Sequence, residues 1–105
     1  MPSKEISEKR TALAPELSEA WRSFSKTGFK ERALSEKTKQ LIAVAVAHVT
    51  QCPYCIHGHT AQAMRKGASE QEIMEAIWVA AEMRAGGSYA HSALAIDEME
   101  SKEKA

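Results

Sequence analysis

Cys52, Pro53, Tyr54, Cys55, Ile56, His57, Gly58 and His59 concentrate the reactive side chains of this 105-residue chain, and its two cysteines both lie here. Each thiol therefore has the other as its sole intramolecular partner. Pro53 lacks a backbone N–H and suits the first position of a helix, while Cys52, the residue before proline, is steered away from helical dihedrals. The spacing predicts Cys52 as N-cap and Cys55 in the first turn, where unpaired N–H groups and the positive end of the helix dipole favour a thiolate. His59 follows Cys55 by four residues, so the two side chains share a helix face with Cβ atoms about 6 Å apart. An imidazole so placed can take a thiol proton directly or through one water and return it near neutral pH. The chemistry implied is that of a redox dithiol.

Zinc binding is the rival reading, because Cys52, Cys55, His57 and His59 are all metal-ligating types. Residues 57 and 59 point about 200° apart on a helix and so do not converge with Cys55 on one ion. A second ligand pair from elsewhere would have to come from His48 or His91. A c-type haem attachment would need histidine where Ile56 stands. Neither a metal nor a bound cofactor is expected. His57 turns away from the Cys55–His59 side and reads as exposed or at an interface, and His48 and His91 read as hydrogen-bonded structural histidines.

The elements that must position these groups read as helices almost throughout, with no strand signature, repeat or phosphate-binding glycine loop. Pro15 opens a helix whose Leu17, Ala20, Trp21 and Phe24 form a core-facing stripe up to Gly28. Ser35 caps a second helix, Lys37 to Val49, which the approach of Cys52-Pro53 ends near Thr50-Gln51. A third runs from Pro53 to Lys66 and closes at Gly67. Ser69 and Glu72 form a capping box for a fourth helix to Arg84, with Ile73, Ala76, Ile77, Ala80 and Ala81 inward. Gly86-Gly87 is expected to break it, and a last helix spans Ser88 to Glu100. Trp21 and Trp78 read as packing residues, and Met64, Met74, Met83 and Met99 as core or interface filler.

Length confines the chain to one domain, residues 1–105, with charged, mobile ends at 1–10 and 100–105. Lys plus Arg equals Asp plus Glu at 14 each, so the formal net charge is zero. That balance disfavours nucleic acid or an anionic membrane as partner. No signal-like or membrane-spanning run is apparent, which makes the cytoplasm the expected compartment, and paired cysteines there read as reactive. Leu41 through Val49 is apolar all round except for His48 and needs cover on every side, which in so short a chain implies a homo-oligomer.

The stretch from Leu34 to Met64, with Cys-x-x-Cys-x-x-x-His after an apolar helix of small residues, resembles the carboxymuconolactone decarboxylase family, and most of all its alkylhydroperoxidase D-like branch. The likeness continues through Gly67-Ala68-Ser69 and the Ile73 to His91 region. It implies a compact all-α fold of one domain, assembled as trimers or trimer-based hexamers. It also implies that Cys55 reacts with a small hydroperoxide, that Cys52 resolves it as a disulfide, and that His59 belongs to a proton relay. The family's relay glutamate falls at Gln40, and glutamine does not accept a proton. Glu36, one turn earlier, and Glu82, on the fourth helix, are the candidate substitutes. The function expected is a thiol-dependent peroxidase or disulfide reductase served by an external dithiol or disulfide-reductase partner. The alternatives are a lyase acting on a small lactone and a non-catalytic helical module that senses redox state.

Overall fold

The computed structural model describes residues 3–104, and among them the chain is helical and contains no strand. Five helices follow in order: α1 (Lys4–Leu13), α2 (Pro15–Phe29), α3 (Glu36–Thr50), α4 (Pro53–Arg65) and α5 (Glu70–Lys104). Capping chemistry sets the boundaries that matter for the site. The Ser35 hydroxyl accepts the Thr38 N–H at 3.1 Å and starts α3. Gln51 ends it in the left-handed region at φ 58°. Helix α4 closes in a Schellman turn, in which Gly67 at φ 93° sends its N–H to Met64 O (3.0 Å) and Ala68 sends its own to Ala63 O (2.9 Å).

Helix α3 lies at the centre, with α4 and the first part of α5 packed against it. Val44, Ala63, Ala68 and Ile73 form the buried cluster where the three meet, flanked by Leu41 and Ile77. The small side chains let the helices approach closely, so the Schellman contact between Ala63 and Ala68 is itself part of the core. Ion pairs border it, Lys66–Glu36 and Lys37–Glu72, each at 2.9 Å. Arg84 donates to Val49 O at 2.6 Å and ties α5 to the end of α3. No helix among the described residues is long and apolar enough to cross a membrane.

Two expectations are corrected. Gly86-Gly87 does not break α5, which continues to Lys104. A glycine in a helix interior costs about 1 kcal/mol relative to alanine, and good helix formers on both sides carry the hydrogen-bond ladder through. Toward both ends the described residues are helical. Ser3 caps α1 through its hydroxyl and the Ile6 N–H, and α5 takes in residues 100–104. Met1, Pro2 and Ala105 lie outside the described residues.

The stripe on α2 is the second correction, since it does not face a core within the chain. Leu17, Trp21 and Phe24 are 74%, 68% and 71% exposed, and the rings of Trp21 and Phe24 lean on each other at 5.9 Å. Trp78 is exposed as well, so neither tryptophan packs within its own chain. Helix α2 meets α1 and, near its C-terminal end, α3, and Leu17 and Trp21 line an open groove with Arg10, Tyr54 and Cys55. The compact part of the molecule is therefore the α3–α4–α5 unit. The radius of gyration of the whole chain is 19.3 Å, against about 13 Å for a compact domain of this length.

The junction at Ser69 makes a stability prediction. Ser69 Oγ accepts the Glu72 N–H (3.0 Å) and Glu72 Oε1 accepts the Ser69 N–H (2.9 Å). Glu72 is held below the ordinary carboxylate range, chiefly by the Lys37 ammonium and then by the Ser69 N–H. Its stabilisation is present above the unfolded pKa and is lost as pH falls through the lower folded value. Urea unfolding should find Glu72→Gln less stable than wild type at neutral pH, with the difference closing on acidification. Ser69→Ala should cost about 1 kcal/mol.

Candidate active site

Cys52 is the N-cap of α4, with φ −96° and ψ 107°, and Pro53 takes the first helical position. Its sulfur accepts the Cys55 N–H at 3.3 Å. Both cysteines are free thiols and half-buried. The N-cap position makes the two sulfurs unequal, in a sense the sequence did not anticipate. Cys52 is shifted below the ordinary thiol pKa, first by the Cys55 side chain donating to it, then by the Cys55 and Tyr54 N–H groups, against partial burial. Cys55 is shifted up, first by sharing its proton with Cys52, then by burial and the charge on Cys52. Cys52 is thus the more acidic of the two thiols and Cys55 the less acidic, whereas the first-turn position alone had favoured charge on Cys55.

His59 is fixed from two sides. Its Nδ1 lies 2.8 Å from Gln40 Oε1, and because that oxygen only accepts, Nδ1 carries the proton and Nε2 is left as the acceptor. Gln40 is the buried polar residue of the core, 7% exposed. Phe29, the last residue of α2, stacks on the imidazole with ring centres 5.1 Å apart and planes 19° apart. Lys39 holds Phe29 in place, since its Nζ donates to Gly28 O (2.9 Å) and Lys30 O (2.6 Å) across the α2–α3 connection.

Cys55 and His59 border one cavity of about 510 Å³, walled mainly by Phe29, Ile42, Ala43, Val46 and Ala47. Cys55 also borders a second, more polar groove, where Arg10, Trp21, Arg22, Lys26 and Tyr54 stand. Cys52 lines neither. Access thus favours Cys55 while charge favours Cys52.

Of the carboxylates considered for the relay, Glu36 is engaged with Lys66 at 2.9 Å, and Glu82 is exposed on α5 beside Gly86. Neither borders the cavity of Cys55 and His59, so Gln40 is the relay candidate that touches the imidazole. His57 and His91 are exposed, and His48 is bonded through Nδ1 to Val44 O at 2.8 Å. Among the described residues no three His, Cys, Asp or Glu side chains are grouped to hold a metal ion. Phe29 and Lys39 escaped the sequence reading. The signal for Lys39 was its place next to Gln40, whereas nothing local marks Phe29.

The unequal thiols can be measured by limited alkylation with iodoacetamide and peptide mapping. Cys52 should label first near neutral pH, with a reactivity midpoint below that of an ordinary thiol and Cys55 above it. In Cys52→Ser the Cys55 midpoint should fall, because the Cys52 sulfur that raises it is gone. Equal midpoints would contradict the shared-proton arrangement.

Residues 15–98 match the carboxymuconolactone decarboxylase family. A Paracoccus denitrificans protein named uncharacterized protein 4 in cox locus is 62% identical over 76 residues, 72% of this chain and 68% of its own length. The fold matches a carboxymuconolactone decarboxylase family protein of Legionella pneumophila at a TM-score of 0.73 and 34% identity, covering 93% of this chain and 90% of the other. A Methanobacterium thermoautotrophicum protein matches equally well, at a TM-score of 0.73 and 33% identity over 78% of this chain and 94% of its own. With the helical order, the Cys52–His59 segment and these likenesses in agreement, the chain belongs to the carboxymuconolactone decarboxylase family.

Proposed function

We propose that the protein is a thiol-dependent peroxidase that reduces a small, uncharged hydroperoxide and is restored by an external dithiol. The observation that carries this reading is the joint placement of Cys55 and His59 on one apolar cavity, with Cys52, the more acidic thiol, beside Cys55. A Thermotoga maritima member of the family, 23% identical with a TM-score of 0.60, is described as a candidate for a part in an antioxidative response. At that identity the likeness is one of fold, and the proposal rests on the dithiol.

In the proposed cycle the hydroperoxide enters the cavity and the Cys55 sulfur attacks its outer oxygen. The O–O bond breaks, Cys55 becomes a sulfenic acid, and the alkoxide leaves as the alcohol with the proton Cys55 gives up, passed through Nε2 of His59. Cys52, the more acidic thiol, gives up its proton and attacks the sulfenic sulfur as a thiolate. An S–S bond forms and hydroxide leaves, taking a proton to become water. The external dithiol then reduces the Cys52–Cys55 disulfide by exchange and is itself oxidised. Each turn consumes one hydroperoxide and one dithiol and yields one alcohol, one water and one oxidised dithiol. No bound cofactor enters the cycle.

Gln40 has a defined part in this scheme. It orients His59 and fixes the tautomer without taking a proton, so the imidazole works without a carboxylate behind it.

Steady-state consumption of an alkyl hydroperoxide with dithiothreitol as reductant tests the proposal. Wild type should turn over, Cys55→Ser should lose turnover, and Cys52→Ser should accumulate a trappable sulfenic acid on Cys55. A wild-type chain that keeps two alkylatable thiols after peroxide treatment would rule the cycle out. Gln40→Leu should slow the reaction by removing the orienting acceptor. If folded, Gln40→Glu should speed it by up to about 10²-fold, since an ionised partner raises the basicity of Nε2. An unchanged rate in folded Gln40→Glu would mean that proton transfer through His59 is not limiting.

A further inference from the structure

Cys55 is the residue shared by two cavities of different character, and the proposed cycle uses the apolar one. The other, of about 890 Å³, lies between α1, α2 and the start of α4, and brings Arg10, Arg22 and Lys26 together with Trp21, Tyr54 and Cys55. No Asp or Glu among the described residues lines it, although acidic and basic residues are equal in the chain at 14 each. Arg22 and Lys26 stand about one turn apart on α2, a spacing at which like charges repel. Glu19 pairs with Arg22 at 3.2 Å, but both side chains are largely exposed and such a pair is weak. Arg10 and Lys26 enter no ion pair among the described residues. The groove thus offers cations to an anion beside a reactive sulfur, whereas the lysine of the apolar cavity, Lys39, is committed to backbone carbonyls.

We infer that the reductant enters through this groove, and that it is a dithiol carrying carboxylate groups, held by Arg10, Arg22 and Lys26 while one of its thiolates attacks the Cys55 sulfur. This rests on the proposed dithiol cycle and gives it a second entrance and a charge on its reductant. The incoming sulfur bonds to Cys55, the Cys52–Cys55 bond breaks, and Cys52 leaves with the electron pair and takes up a proton. The reductant's second thiol then loses its proton and attacks the reductant's first sulfur. That closes the reductant's own disulfide and releases Cys55 as a thiolate, which is reprotonated, so two electrons have passed to the protein. Access and leaving-group chemistry agree on this direction. Cys52 borders neither cavity, and the more acidic thiol is the better leaving group. With separate entrances, the hydroperoxide meets an apolar wall and the reductant a basic one, and the two do not compete for one cavity.

Exchange at the single cysteine of Cys52→Ser tests the recognition without peroxide. The rate constant of Cys55 with dithiobis(nitrobenzoate), an anionic disulfide, is set against that with dithiodipyridine, an uncharged one. Adding Arg10→Gln and Lys26→Gln should lower this ratio by about tenfold or more, and an unchanged ratio would overturn the inference. Salt gives a reading that needs no further variant. It speeds the reaction of the anionic reagent with a free cysteine thiolate, because like charges repel, and should slow it at Cys55, where the cations of the groove attract the reagent. Acceleration by salt at Cys55 would overturn the inference. In wild type, the Cys52–Cys55 disulfide formed with diamide should be reduced faster by mercaptosuccinate than by uncharged thioglycerol at matched thiolate concentration, and Arg10→Gln with Lys26→Gln should remove that preference. A chain in which diamide forms no such disulfide would overturn the groove's assignment together with the peroxidase cycle. Normal peroxide turnover without the preference would overturn the assignment alone, and the preference in a chain that consumes no peroxide would support the assignment and overturn the peroxidase reading.

Discussion

The hydrogen bond between Gln40 Oε1 and His59 Nδ1, 2.8 Å long, is the constraint on which the rest of the site depends. It is a part-buried polar contact between the central helix and α4, which carries His59 and Cys55. Leaving either partner unsatisfied there would cost about 1–3 kcal/mol. The contact therefore fixes the rotation of α4 against α3 as well as the imidazole, and with it the direction in which Cys55 opens. Phe29 completes the setting from the other face of the ring. That stacking would be loose if the end of α2 were free, and the two carbonyl bonds from Lys39 anchor it. Three helices thus meet at one imidazole through one hydrogen bond, one stack and one ammonium clamp.

A second constraint acts on charge. A helix start offers a limited set of free N–H groups, and the residue at the N-cap reaches them better than one in the first turn. Cys52 occupies that position and is the more acidic thiol, lowered first by the Cys55 side chain donating to it and then by the Cys55 and Tyr54 N–H groups. Both thiols are half-buried, and Cys55 is the one that borders the two cavities. In the proposed cycle, attack by Cys55 requires its proton to move, and Nε2 of His59 is the acceptor assigned to it.

What could be read from sequence was set by the range of the physics involved. N-caps at Ser35, Cys52 and Ser69 and the closing turn at Gly67 depend on three to six neighbouring residues, so their chemistry was legible. The Cys55–His59 face followed from helical spacing for the same reason. The continuity of α5 was not legible, because two glycines lower helix propensity without breaking a ladder that good formers continue on both sides. The exposure of Leu17, Trp21 and Phe24 was also hidden. Periodicity identifies an apolar face but not what covers it. Phe29 over His59 is a contact across thirty positions that no local pattern announces, and the greater acidity of Cys52 depends on the Cys55 side chain donating to it and then on which sulfur reaches the free N–H groups.

Lys39 shows how the same architecture sets the character of the cavity. A lysine on the wall of a thiol site would ordinarily supply a positive charge for an anionic ligand and pull the thiol toward its charged form. Here Nζ is turned onto the carbonyl oxygens of Gly28 and Lys30, and the groups that move Cys55 are Cys52 and burial. With Lys39 committed to the backbone, the walls seen by an entering molecule are Phe29, Ile42, Ala43, Val46 and Ala47. Such a lining gives a carboxylate or phosphate little to exchange for its hydration, whereas an uncharged molecule with an alkyl group gains by burying it. Fixing the stacked ring and leaving the cavity without a free cation are thus two results of one pair of hydrogen bonds.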